Sequence, residues 1–170
     1  PVAHQLMEAN IIKTLATEYT YEAAQMLQKL LGAKGFERGH VASNIAIDFR
    51  PFTIFEGPND MLYAEIYDQF TRVTAAEKDA GVKLDKAQTL LARLQSDVRF
   101  TAIALSKRLL PQDVADFLDK HTLSQTCALK KVFIGKIVAK LFVYVQAEAD
   151  EAAEFVLKDI RKDMLDCEYC

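Results

Sequence analysis

Three cysteines, four prolines, six glycines and no tryptophan occur among 170 residues. Three cysteines (Cys127, Cys167, Cys170) are too few for a disulfide framework, which suits a reducing compartment, so a cytoplasmic location is expected. So little proline and glycine, beside much Ala, Leu, Lys, Glu and Gln, argues for helix throughout. An excess of one charge is missing as well. The net charge of −3 leaves no electrostatic footprint for nucleic acid or an anionic membrane, and neither is expected as a partner.

A long apolar run is also lacking. The most apolar stretch, residues 132–145, is interrupted by Lys136 and Lys140 and falls short of the roughly 20 residues a membrane span needs. It reads as a buried helix with a charged stripe. Residues 1–9 have no basic start followed by an apolar run, so no signal peptide is expected in them. Pro1 is not a natural first residue, and the chain is expected to be processed or cut from something longer. No metal-ligand spacing is present either. His4, His40 and His121 are scattered and read as surface or loop residues. Cys167-Glu168-Tyr169-Cys170 is half a zinc site without a second pair, and reads as a frayed tail.

What is present is an ordinary globular composition, 51% hydrophobic and 26% charged, long enough for one domain with a core. Apolar residues at three- and four-residue spacing predict a first helix over residues 4–31, stopped by Gly32 and Gly35. Residues 36–55 lack a clean helical period, apart from a short turn over 41–46, and Pro51 predicts a bend. Further helices are predicted over 58–80, 84–110, 111–120, 125–148 with Ser124 as N-cap, and 150–165. No segment of useful length has a strand period, so the fold class is all-α, a helical bundle. Lys130, Lys131, Lys136 and Lys140 form a basic edge on the fifth helix, read as solvated or paired with Glu148, Glu151 and Glu154. The broad apolar stripe Phe133, Ile137, Leu141, Phe142, Val145 reads as core with some subunit interface.

The stretch Ile54-Phe55-Glu56-Gly57-Pro58-Asn59-Asp60 carries the chemistry. It sets one carboxylate beside a glycine at a loop-to-helix junction, directly after the apolar Phe52, Ile54 and Phe55. Partial exclusion of water disfavours a carboxylate's charged form and makes it a stronger base, while the positive end of the following helix favours ionisation. Standing alone, Glu56 reads first as an acid decorating a helix start, where acids are common.

A second motif, read with the first, changes that weighting. Lys13, Ala16 and Glu18 precede the turn Gly32-Ala33-Lys34-Gly35-Phe36, followed by Ile47-Asp48 and Arg50. The register from Lys13 to Leu62, without a gap, resembles the C-terminal helical domain of the acyl-CoA dehydrogenases, and the resemblance extends over residues 9–62. It implies a division into residues 1–81, part of that domain, and 82–170, a helical extension on the same bundle. It implies an FAD-dependent oxidoreductase of fatty acid metabolism, with this chain as its C-terminal part and inactive by itself. Glu56 would be the base that takes the α-proton of an acyl-CoA thioester, Phe55 and Gly57 would bind substrate, and Gly32 and Asn59 would contact FAD. An electron-transferring flavoprotein and a homo-oligomer through the bundle are the implied partners. The chain departs from the family pattern at Lys29, where a glutamine reaches the FAD of a neighbouring subunit, and at Ala33, Ile47 and Pro58. Those departures motivate the alternative reading, a helical interaction module that kept the scaffold and lost flavin chemistry.

Overall fold

A computed structural model describes residues 2–73, 75–79, 81, 85, 87–97, 100, 109–123 and 127–169. The described residues form helices α1 (Val2–Leu30), α2 (Val41–Phe49), α3 (Asn59–Phe70), α4 (Ala75–Asp79), α5 (Leu90–Ser96), α6 (Gln112–Lys120), α7 (Ala128–Gln146) and α8 (Asp150–Glu168). Two 3₁₀ turns, Gly32–Phe36 and Arg50–Thr53, flank α2. The fold is all-α. Among the described residues the one strand-like contact is a single antiparallel bridge between Thr89 and Thr122.

Local sequence explains most boundaries. α1 buries Met7, Ile11 and Leu15, spaced four apart so that they fall on one stripe. It ends at Gly32, whose φ of 58° is the left-handed conformation that glycine adopts without steric cost. Residues 41–49 make a full helix rather than a short turn, because the Nδ1 atom of His40 accepts from the Ala42 amide at 3.2 Å and caps it. Cys127 does the same for α7, its sulfur accepting from the Lys130 amide at 3.5 Å. Ser124, the predicted cap, lies outside the described residues.

One expected helix is shorter than its periodicity suggests and another is interrupted, residues 98–99 and 101–108 of the latter lying outside the described residues. The one predicted over 58–80 stops at Phe70, and the one predicted over 84–110 breaks at Asp97, which is extended. Both breaks surround one side chain, the fully buried Arg93. It donates to the Phe70 carbonyl at 2.7 Å and the Arg72 carbonyl at 3.2 Å, and pairs with Glu77 at 2.8 Å and Asp97 at 3.0 Å. Tertiary partners for those backbone and carboxylate groups outcompete continuation of either helix.

The core centres on α7, which packs between α3 and α8 and also touches α1. Ile134, Ile137, Val138, Leu141 and Val145 of α7 meet Tyr63, Ile66 and Phe70 of α3 on one side and Ala153, Val156 and Ile160 of α8 on the other within one continuous core. Gly135 permits the α3–α7 contact, since a Cβ there would collide with the Tyr63 carbonyl oxygen. Three of the four lysines on α7 are paired rather than solvated. Lys131 pairs with Asp68 at 2.8 Å, Lys136 with Glu18 at 3.8 Å, and the buried Lys140 with Asp159 at 2.9 Å and Asp163 at 2.6 Å. The expected partners Glu148, Glu151 and Glu154 precede or open α8, whereas these lysines face α1, α3 and the middle of α8. The tail is likewise ordered further than expected, for α8 continues to Glu168 with Cys167 wholly buried. Cys170 lies outside the described residues. Among the described residues no helix is long and apolar enough to cross a membrane, and no cluster of His, Cys, Asp and Glu could hold a metal ion.

Candidate functional site

Residues 50–59 fold as a compact strap across α1. Arg50–Thr53 forms a 3₁₀ turn begun by Pro51, whose carbonyl accepts from the amides of both Ile54 and Phe55 at 2.9 Å. The rings of Phe49, Phe52 and Phe55 follow one another along this strap, with centroids 5.7 and 6.3 Å apart. Phe52, Ile54 and Phe55 are exposed, making an apolar ridge at the surface. At its end the chain turns through two successive positive φ angles, 59° at Glu56 and 109° at Gly57, before Pro58 leads into α3. The Glu56 carboxylate is exposed beside that ridge.

The turn is tied down from below. Lys13 of α1 donates through Nζ to the Gly57 carbonyl at 2.8 Å and to Asn59 Oδ1 at 2.7 Å. Asn59 is 5% exposed, and its Nδ2 donates to the Thr14 carbonyl at 3.3 Å and to Thr17 Oγ1 at 3.0 Å. Burial lowers the Lys13 ammonium from its ordinary range, while the carboxylates of Glu56 and Glu18 pull it back up.

Beside the strap lies an open cleft of about 410 Å³, lined by Glu18, Glu22, Thr53, Ile54, Asp60 and Lys136 among others. Glu18 forms one wall. Burial pushes its carboxyl above the usual carboxylate range, against the pull of Lys136 and a hydrogen bond donated by Tyr63 Oη at 2.9 Å.

Phe55, Glu56, Gly57 and Asn59 thus come together on one turn, as their adjacency requires. Gly32 does not join them. It sits 19 residues after Lys13, about 28 Å along the helix axis, in an exposed turn with open space where a Cβ would stand. Gly35 in that turn is a packing residue, since a Cβ on it would strike the Gln28 carbonyl. As a test of FAD contact the two predicted cofactor residues differ. The Gly32 turn, with Lys29 and Lys34 exposed beside it, offers an approachable backbone and positive charge suited to an anionic group. Both the oxygen and the nitrogen of the Asn59 amide are already engaged inside the fold, so it offers no group to a cofactor. The spacing of Lys13 and Glu18 was visible in the sequence, but nothing in it pointed to the Gly57 carbonyl or to Lys136 as their partners.

Residues 2–71 match the family model for the acyl-CoA dehydrogenase C-terminal domain. The match covers α1, the Gly32–Phe36 turn, the strap and α3, and stops one residue beyond α3. Comparison with curated proteins and with solved structures finds no match.

Proposed function

We propose, taking residues 2–71 as the C-terminal helical domain of an acyl-CoA dehydrogenase, that this chain is the part of such a flavoprotein that carries its base, Glu56. The observation that carries the reading is the display of Glu56. Its carboxylate stands on a fastened turn at the end of an exposed apolar ridge of Phe52, Ile54 and Phe55. Exposed apolar groups gathered in one place mark a surface that another body covers. Here that body is the remainder of the enzyme with a bound acyl-CoA, and by itself the chain is inactive.

The chemistry asked of the chain is proton transfer. Glu56 takes the proton from the carbon α to the thioester carbonyl, and the electron pair of that C–H bond becomes the second Cα–Cβ bond as a hydride departs from Cβ. When bound, FAD supplies the acceptor for that hydride. A thioester α-proton is weakly acidic, so the base needs fixed placement and low-polarity surroundings. Closure over the phenylalanine ridge provides the second of these, with Phe55 lining the acyl pocket. Gly57, lacking a side chain, leaves room for the thioester. Gly32 and Lys29, so far from Glu56 along α1, serve an FAD bound to a neighbouring subunit of a homo-oligomer rather than the one nearest Glu56. Electrons then leave the assembled enzyme for an electron-transferring flavoprotein in the cytoplasm.

A second reading keeps the scaffold without the chemistry. The closed hydrogen bonding of Asn59 and the departures at Lys29, Ala33, Ile47 and Pro58 favour it. The discriminating experiment uses the full-length protein. Flavin absorbance that bleaches on adding an acyl-CoA supports the dehydrogenase, and Glu56→Gln is expected to abolish the bleaching while leaving flavin bound. A colourless, well-folded oligomer would favour the scaffold.

A further inference from the structure

Glu56 occupies a backbone conformation that L-residues other than glycine rarely adopt, with a φ of 59°, and Gly57 continues the turn at a φ of 109°. Such a turn persists only where its surroundings over-determine it. The strap supplies little of that determination. Pro58 has no amide hydrogen, so it makes no backbone bond back across the turn, and the Glu56 side chain is exposed. The Gly57 carbonyl instead reaches the Lys13 ammonium at 2.8 Å. The same Nζ bonds Asn59 Oδ1 at 2.7 Å, and Asn59 is fixed in turn to the adjacent Thr14 and to Thr17 one turn further along α1. Lys13 therefore brackets Pro58 from both sides, and refers the position of Glu56 to the most extended rigid element of the fold.

From this geometry we infer that Lys13 is a positioning residue for the reaction: its ammonium staples the Glu56–Gly57 turn to α1 and thereby aims the Glu56 carboxylate. The inference rests on Glu56 being the base. A charge-assisted pair of bonds from one long side chain suits the task, because a single cation can hold two acceptors that have no donor on their own segment. Lys13 does not touch the reacting atoms. Its action passes through the backbone of Gly57 and the side chain of Asn59.

The test compares Lys13→Met, Lys13→Arg and Glu56→Gln in the full-length enzyme. Lys13→Met is expected to lower kcat by about a hundredfold, as a misplacement of about 1 Å in the base does, with KM for the acyl-CoA little changed. The kinetic isotope effect on an α-deuterated thioester is expected to rise, because proton abstraction becomes more fully rate-limiting, an outcome that mere loss of stability would not produce. Lys13→Arg keeps both donors and is expected to restore most of the rate. Hydrogen exchange at the amides of residues 54–62 is expected to quicken in Lys13→Met and not in Lys13→Arg. If Lys13→Met does not fold, Lys13→Gln, which keeps an N–H donor on a shorter arm, carries the same comparison. Lys13→Met turning over within twofold of the parent, while Glu56→Gln is dead, overturns the inference and leaves the base in place. Full bleaching by Glu56→Gln overturns the base assignment, and the inference with it.

Discussion

Glu18 shows how a single position acquires a property its residue type does not have. It sits on α1 one turn beyond Thr14, where burial raises its carboxyl and the Tyr63 hydroxyl and Lys136 only partly offset that. A carboxyl raised in the folded state favours folding while protonated. That contribution is complete below the unfolded value and is lost as pH rises through the folded one. Glu18→Gln is neutral throughout and still accepts from Tyr63. It is therefore expected to be more stable than the parent at pH 7, with the gain shrinking to nothing below about pH 4, where unfolded glutamate protonates. Thermal melting of both proteins across that pH range checks it, and parallel curves would refute it. Lys13, five residues earlier, is shifted by the same cause with the opposite sign: burial lowers its ammonium, and the carboxylates of Glu56 and Glu18 offset that only in part.

Helix α7 carries the same lesson for an element. Its sequence period shows a broad apolar face with lysines at intervals, and that much was legible. Which helices those lysines would meet was not, because a 3.6-residue period names a face and never its neighbour. Gly135 is the sharpest case. In an isolated helix, alanine there would be favoured over glycine by about 1 kcal/mol. In this fold the added Cβ meets the Tyr63 carbonyl oxygen, a backbone atom of α3 that cannot swing aside. Overpacking costs about 1–3 kcal/mol, and against a fixed backbone atom the upper part of that range, about 2–3 kcal/mol, applies and exceeds the propensity gain. Gly135→Ala is thus expected to lower unfolding free energy by about 1–2 kcal/mol in urea titration. A variant as stable as the parent would mean that α3 and α7 shift apart freely. Since α3 begins at Asn59, such a shift would also loosen the Glu56 turn.

Across the molecule, Arg93 joins what would otherwise be separate parts. It takes up carbonyls at the end of α3 and carboxylates from α4 and from the residue after α5, and its guanidinium lies 5.5 Å from the Phe70 ring centre. Edge-on contacts from Phe70 to Phe100 and from Phe100 to Phe142 continue the connection to α7, with centroids 6.1 and 5.7 Å apart. The region matching the dehydrogenase family therefore shares its core with the helices that follow it. Arg93→Met removes the guanidinium that pairs with the buried Glu77 and Asp97, and breaking a buried ion pair from one side costs about 3–5 kcal/mol. A single cooperative transition at a much lower urea midpoint is the expected result. A loss under about 1 kcal/mol would show that water or another cation replaces the guanidinium, since removing one partner of a buried pair costs more than that.

The all-α class, most helix positions and the Glu56 turn could be read from residue order alone, since apolar period, glycine stops and proline bends act over a few neighbours. The family likeness was legible for a related reason, as its motifs lie within short segments at set spacing. The staple under Gly57, the partners of α7's lysines, the early end of α3 and the break after α5 could not be read. Each depends on groups brought together from far along the chain, 44 residues apart for Lys13 and Gly57 and 63 for Lys131 and Asp68. Such pairings are chosen when helices pack and buried polar groups must find partners, a constraint with no trace in any local window.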